Sequence, residues 1–144
     1  RLTKVFKKNK IEFYDDYAHH PTEIKSVIEA VRKVAPKRKI IIIFQPHRYS
    51  RVKTLNLEFA ACFNEADQII LCPVYSAGEA IDKKYNKLKF AKLISTFSRT
   101  QVVIIKDELD LVKYFKKNLT NDEIVIGMGA GSISKWIYNL KNNL

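Results

Sequence analysis

Two acids, a tyrosine and two histidines stand together in DDYAHHPTE, Asp15 to Glu23, where an apolar segment gives way to a helical pattern. Side chains of this kind do acid–base and anion chemistry. A histidine exchanges protons near neutral pH, and a carboxylate accepts hydrogen bonds from sugar hydroxyls or faces a metal-bound phosphate. Pro21 suits a first helical position and Glu23 a first turn, so the polar residues are expected in a strand-to-helix turn. Asp16 is a candidate for a ribose or a metal-bound phosphate, and His19 for orienting or deprotonating a nucleophile. The alternative is that Asp15 caps the turn and one histidine is a satisfied group of the fold. The sequence leaves both open.

Three further segments carry unusual residues. QPHRYSR, Gln45 to Arg51, places His47, Arg48 and Arg51 at the opening of a helix, a position that already favours anions. Arginine adds bidentate recognition of carboxylate or phosphate. A surface cap with incidental arginines is the bland alternative, and the agreement of charge, histidine and position weighs against it. PVYSAGE, Pro73 to Glu79, leaves Glu79 between a loop hydrogen bond and a role in a site. GMGAGS, Gly127 to Ser132, offers backbone amides to an anion, yet it is not a complete GxGxxG and does not follow the first strand. Tight packing that admits only small residues explains it equally well.

The elements that must position these segments are legible. Apolar runs at Ile40 to Phe44, Ile69 to Cys72, Val102 to Ile105 and Ile124 to Ile126 are rich in β-branched residues and suit a parallel sheet covered on both faces. Helical stripes lie between them: Ile24, Val27, Ile28, Val31 and Val34; Leu55, Phe59, Cys62, Phe63 and Ala66; Leu88, Ala91 and Ile94; Leu109, Val112 and Phe115; Ile133, Trp136, Ile137 and Leu140. This alternation predicts an α/β, Rossmann-like three-layer domain with a mostly parallel sheet of about six strands and right-handed crossovers. Leu2 to Phe6 is the candidate for one antiparallel strand, paired with Ile11 to Tyr14 through the polar turn Lys7 to Lys10. Ligands of such sheets bind outside the carboxyl ends of the strands, which is where all four unusual segments fall.

Composition bounds the rest. A chain of 144 residues that is 47% hydrophobic fits a single domain, 1–144, with a substantial core. No apolar run approaches a membrane span, and RLTKVFKKNK lacks the apolar stretch of a signal peptide, so a cytoplasmic, non-membrane protein is expected. Cys62 and Cys72 are too few and too far apart for a zinc site and read as reduced, buried thiols; no metal ligand set is expected. The net charge of +11 invites a nucleic-acid hypothesis, but the lysines are scattered over helix faces without stacking aromatics. A solvated basic surface is the expectation, with no nucleic-acid partner; a polyanion-binding α/β module is kept as the alternative. A phosphate-accepting receiver domain needs an aspartate after its third strand, where Pro73 and Val74 stand. No GxxxxGK[ST] occurs, so any ATP chemistry must use a phosphate loop from elsewhere.

At these residues the chain resembles the C-terminal domain of the Mur ligases, ATP-dependent amide-forming enzymes of peptidoglycan precursor synthesis. DYAH, Asp16 to His19, is the shared core; DDYAHHPTE together with FQPHRYSR, Phe44 to Arg51, is similar to the alanine-adding branch, and the muropeptide-recycling relative shares the first motif but usually not the second. VYSAGE, Val74 to Glu79, and GAGSI, Gly129 to Ile133, extend the match, although many members have an acid where Ser132 stands. Arg1 and Leu2 resemble the family's Arg-Phe pair at the start of this domain. The resemblance implies transfer of the γ-phosphoryl of ATP to the carboxylate of UDP-N-acetylmuramate, then attack by the amine of L-alanine. By it, ATP and Mg2+ are held mainly by a central domain of the same polypeptide, and the UDP-sugar by an N-terminal one. Arg1 reaches the phosphates, Asp16 and Tyr17 contact the nucleotide, and His19, His47, Arg48 and Arg51 form the alanine and carboxylate pocket, with His19 and Arg48 as its catalytic members. The domain alone is then expected to be inactive.

Overall fold

Six strands and six helices alternate in a computed structural model that describes every residue from Arg1 to Leu144. The strands are β1 (Thr3–Lys8), β2 (Ile11–Asp16), β3 (Ile40–Phe44), β4 (Gln68–Leu71), β5 (Gln101–Ile104) and β6 (Ile124–Met128). The helices are α1 (Pro21–Val34), α2 (Tyr49–Thr54), α3 (Asn56–Ala61), α4 (Lys87–Ser98), α5 (Glu108–Asn118) and α6 (Ile133–Asn143). They form one sheet of order β1-β2-β6-β3-β4-β5, parallel throughout except for the antiparallel pair β1 and β2. The expected fold class is the observed one.

Strand alternation divides the core in two. Ile40, Ile42 and Phe44 of β3, with Ile124, Ile126 and Met128 of β6, meet α1 to α4 on one face. Ile41, Ile43 and Val125 meet α5 and α6 on the other. The chain therefore runs from β2 through β5 on one face and returns through α5 to insert β6 between β2 and β3. The helix after β6 leaves on the face opposite to those after β2 and β3. Such a reversal opens a crevice at the carboxyl ends of the strands.

Three residues of the expected helical stripes lie outside the core. Val34, Leu88 and Leu109 are exposed, while Phe90 and Leu111 are buried. The stripe from Leu55 to Ala66 is not one helix: Leu55 bends the chain between α2 and α3, although Leu55 N still donates to Arg51 O and Phe59 N to Leu55 O. No proline or glycine lies there, and nothing in the local structure accounts for the bend. Cys62 and Cys72 are buried free thiols, and burial pushes the Cys62 thiol up to about 12.

Candidate functional site

β2 runs further than its apolar residues, pairing with β6 as far as Asp16 opposite Met128. Asp15 and Asp16 are thus the last two strand residues rather than turn residues, and the pleat sends them to opposite faces. Asp15 Oδ2 accepts 2.7 Å from Ser134 Oγ and fastens the first turn of α6. Asp16 is only 3% exposed; its Oδ1 accepts 2.8 Å from Ala18 N, and its Oδ2 lies 3.8 Å from the Arg1 backbone nitrogen.

The histidines divide in the same way. His20 is the N-cap of α1: its Nδ1 accepts 3.3 Å from Thr22 N, and its own N–H donates 3.1 Å to Glu23 Oε1. Burial pushes the Glu23 pKa up, but the amides of His20 and His19 outweigh it and hold the carboxyl below the usual value. His19 Nδ1 lies 3.0 Å from the Tyr17 carbonyl. A carbonyl only accepts, so Nδ1 carries a proton and Nε2 of the neutral ring keeps its lone pair.

β2 and β3 are not neighbours, because β6 lies between them, yet the residues after them meet above its end. The His19 and His47 ring centroids are 5.8 Å apart, and Tyr17 stands edge-on to His19 at 5.2 Å. On its other side His47 stacks on Tyr75 at 5.5 Å and 22°. Gly131 makes room for this row, since a Cβ there would lie 2.4 Å from Tyr75 Cγ. Gly127 similarly admits Ile137, and Gly129 has φ +155 with Gln45 O 2.9 Å from where its Cβ would be. Buried Gln45 accepts from Ile133 N at 3.0 Å and donates to Ser132 Oγ at 2.9 Å, so a side chain occupies the start of α6. Close packing thus accounts for the glycines of GMGAGS.

Arg51, in the first turn of α2, places Nη1 3.4 Å from His47 Nδ1. Burial lowers the His47 pKa most, and the positive charges of Arg51, of His19 in its protonated form, and of Arg48 lower it further. Arg48 has φ 74 and ψ 133, which a non-glycine residue rarely adopts and which costs about 1–3 kcal/mol unless surroundings enforce it. The nearby carboxylate, Glu79, accepts from both Ser50 N and Ser50 Oγ, and the Ser50 hydroxyl above all holds its pKa down. Two guanidinium groups, two imidazoles and one engaged carboxylate suit an anion at this edge.

Arg1, Asp16 and Tyr17 meet elsewhere, in a concavity of about 680 Å³ between the start of the chain and α1, with Tyr14, Val27 and Val31 on its walls. A second concavity, of about 590 Å³, lies between α2 and α4. Neither includes His19, His47, Arg48 or Arg51. That cluster therefore lies apart from both concavities. A buried acid beside an aromatic and a cation fits the ribose and phosphate end of a nucleotide. No group of three His, Cys, Asp or Glu side chains is placed to hold a metal ion. Sequence reasoning passed over Tyr75 and Gln45; an aromatic in a strand-exit loop was the only signal for the former.

The model of the family described as Mur ligase, glutamate ligase domain, matches residues 1–131. The chain belongs to the Mur ligase C-terminal domain family. Among curated relatives, the UDP-N-acetylmuramate–L-alanine ligase of Pelagibacter ubique is 45% identical over 140 residues, covering 97% of this chain and 30% of the relative. That of Bartonella tribocorum is 40% identical over 144 residues, covering 100% of this chain and 30% of the relative. This Mur ligase domain therefore spans about 30% of the length of the curated relatives it matches. The crystal structure of the UDP-N-acetylmuramate-alanine ligase of Thermotoga maritima shares the fold at TM-score 0.75 and 22% identity, over 97% of this chain and 28% of that one. A murein peptide ligase from Psychrobacter arcticus does so at TM-score 0.75 and 16% identity, again over 97% and 28%.

Proposed function

We propose that this chain is the C-terminal domain of a UDP-N-acetylmuramate–L-alanine ligase and that it supplies the amino-acid side of the site. The observation that carries this reading is the meeting of His19 and His47, with Arg51 on the latter, above the end of β6. The names of the relatives at 45% and 40% identity support the choice of reaction. In the whole enzyme, the γ-phosphoryl of ATP passes to the muramoyl carboxylate, leaving ADP and an acyl phosphate. The alanine amine then attacks the acyl carbon, the C–O bond to phosphate breaks, and the amide and inorganic phosphate leave.

The residues of this domain fit distinct parts of that sequence. Arg48 and Arg51 hold the alanine carboxylate, and the Nε2–H of His47 can donate beside them. His19 Nε2, with its lone pair free, takes the proton that the alanine ammonium must lose before it attacks. The same cations favour the charge that builds on the tetrahedral intermediate. Arg1, Asp16 and Tyr17 face the ribose and phosphates of ATP. The phosphate loop and the magnesium ligands belong to a central domain, and the UDP-sugar to an N-terminal one. The same reading makes the enzyme a cytoplasmic one; no helix of this chain is long and apolar enough to cross a membrane.

Kinetics of the full-length polypeptide test the reading. Arg48→Ala should raise the KM for alanine about 10- to 100-fold with little change in that for ATP. Unchanged alanine kinetics would sink the pocket assignment. The isolated domain should form no amide, and turnover by it would overturn the sharing of the reaction among domains.

A further inference from the structure

We propose that the loop from Tyr75 to Glu79 is a strap that holds Arg48 in its productive backbone conformation, with Glu79 as a positioning residue for recognition of the amino-acid carboxylate. This rests on the assignment of Arg48 to the amino-acid pocket. The backbone of Arg48, φ 74 and ψ 133, is one that a residue with a Cβ abandons unless its neighbours are fixed on both sides. Both sides are fixed by this one loop. Before and at Arg48, Tyr75 N donates to Pro46 O and Arg48 N donates to Tyr75 O, each at 2.8 Å, in an isolated parallel bridge between His47 and Tyr75. Two residues later, Glu79 takes both the N–H and the hydroxyl of Ser50.

The second contact replaces something that Arg48 cannot do. An N-cap residue ordinarily accepts a helix N2 or N3 amide with its own side-chain oxygen. Arg48 is the N-cap of α2, has no acceptor, and makes no side-chain cap bond. Glu79 accepts the N2 amide, that of Ser50, from the neighbouring loop. The capping duty is thereby moved to another segment, and the guanidinium of Arg48 is left for a ligand.

The loop is shaped for this task. Ala77 and Gly78 have φ 51 and 90, and Glu79 N donates 3.0 Å to Ser76 O, which turns the chain back so that the Glu79 carboxylate reaches α2. Gly78 has open space where a Cβ would stand, so backbone conformation rather than crowding calls for glycine there. At the other end, the Tyr75 ring lies between His47 and Gly131. One strap thus sets the histidine ring through stacking and the arginine through its backbone.

Steady-state kinetics of the full-length polypeptide test this. Glu79→Ala should raise the KM for alanine about 10- to 100-fold while the KM values for ATP and the UDP-sugar stay within about twofold. Glu79→Gln, which keeps an acceptor oxygen for Ser50, should recover most of the loss. Ser50→Ala added to Glu79→Ala should cost nothing more, because both remove the same contact. Wild-type alanine kinetics in Glu79→Ala, or equal losses for all three substrates that track a fall in Tm, would overturn the strap. Arg48→Ala separates the two levels. If it raises the alanine KM and Glu79→Ala does not, the strap alone fails; if it does not, the pocket assignment fails and the strap with it.

Discussion

Nη1 of Arg51 lies 3.4 Å from Nδ1 of His47 and thereby fixes which ring nitrogen of the histidine carries a proton. A guanidinium only donates, so Nδ1 accepts and the proton of the neutral ring sits on Nε2. His19 is the mirror case, with its proton held on Nδ1 by the Tyr17 carbonyl. Two imidazoles 5.8 Å apart therefore present opposite functions, one a donor and one an acceptor. An amino acid, with a carboxylate at one end and an ammonium at the other, needs that asymmetry.

The His47 titration should follow. Burial foremost, then Arg51, His19 and Arg48, push its pKa below the ordinary 6.5 against the weaker pull of Glu79. The unfolded chain then takes up this proton before the folded one. The group is neutral in its effect on stability above about 6.5 and costs stability as pH falls below that value. A ring-proton NMR titration of the domain should place the His47 midpoint below 6.5, and Arg51→Ala should move it upward. A midpoint at or above 6.5 would contradict this electrostatic account.

Gly127 lies in β6 and Gly131 in the exit that follows it, and the two should behave differently. A Cβ at Gly127 would stand 2.4 Å from Cγ1 of fully buried Ile137, so Gly127→Ala should cost about 1–3 kcal/mol by overpacking. A Cβ at Gly131 meets the Tyr75 ring, which is 39% exposed and can swing outward. Gly131→Ala should therefore spare the Tm and instead raise the alanine KM of the full-length enzyme by loosening His47. Thermal melts and kinetics of both variants decide it.

Toward the amino ends of the strands, Arg38 braces the fold at the far end of the concavity that Arg1, Asp16 and Tyr17 also line. Its guanidinium reaches Glu12 Oε2 at 2.5 Å, Asp122 O and Lys10 O each at 2.9 Å, and Glu123 O at 3.4 Å. The Tyr14 hydroxyl, then Arg38, hold the Glu12 carboxyl down to about 2 against burial. Because the folded value lies below 4.5, this contribution is complete above pH 4.5 and is lost as pH falls toward 2. Arg38→Ala should cost about 1–3 kcal/mol and raise the acid midpoint of unfolding, read by circular dichroism across that window. An unchanged acid midpoint would remove Arg38 from this role.

Apolar runs and their spacing were enough for the sheet, because a strand buried on both faces has to be apolar along its length; the run Ile40 to Phe44 coincides with β3. The helical stripes were less legible, since 3.6-residue spacing leaves the edge of the buried face uncertain where apolar residues crowd, as at Leu109 and Leu111. Charge and histidine content marked the strand exits that gather His19, His47 and Arg51. What the residue types did not reveal was the direction of each side chain. The strap is also invisible in sequence, because the conformation of Arg48 and its dependence on Glu79 are properties of two loops that meet only in space.

The doubled acids and histidines of DDYAHHPTE offer the sharpest test of that point, since neighbours of identical type have opposite assignments. Asp15 ties Ser134 and His20 caps α1, so Asp15→Ala and His20→Ala should each lower stability by about 1 kcal/mol while leaving alanine and ATP kinetics of the full-length enzyme intact. Asp16 lines the concavity with Arg1 and Tyr17, so Asp16→Asn should raise the KM for ATP more than that for alanine. His19 projects toward His47, so His19→Ala should lower kcat with alanine, and steeply if it takes the ammonium proton. Higher pH should then restore part of the rate, because the amine loses its proton to solvent. A His20→Ala variant that lost alanine turnover while His19→Ala kept it would reverse the assignment of the pair.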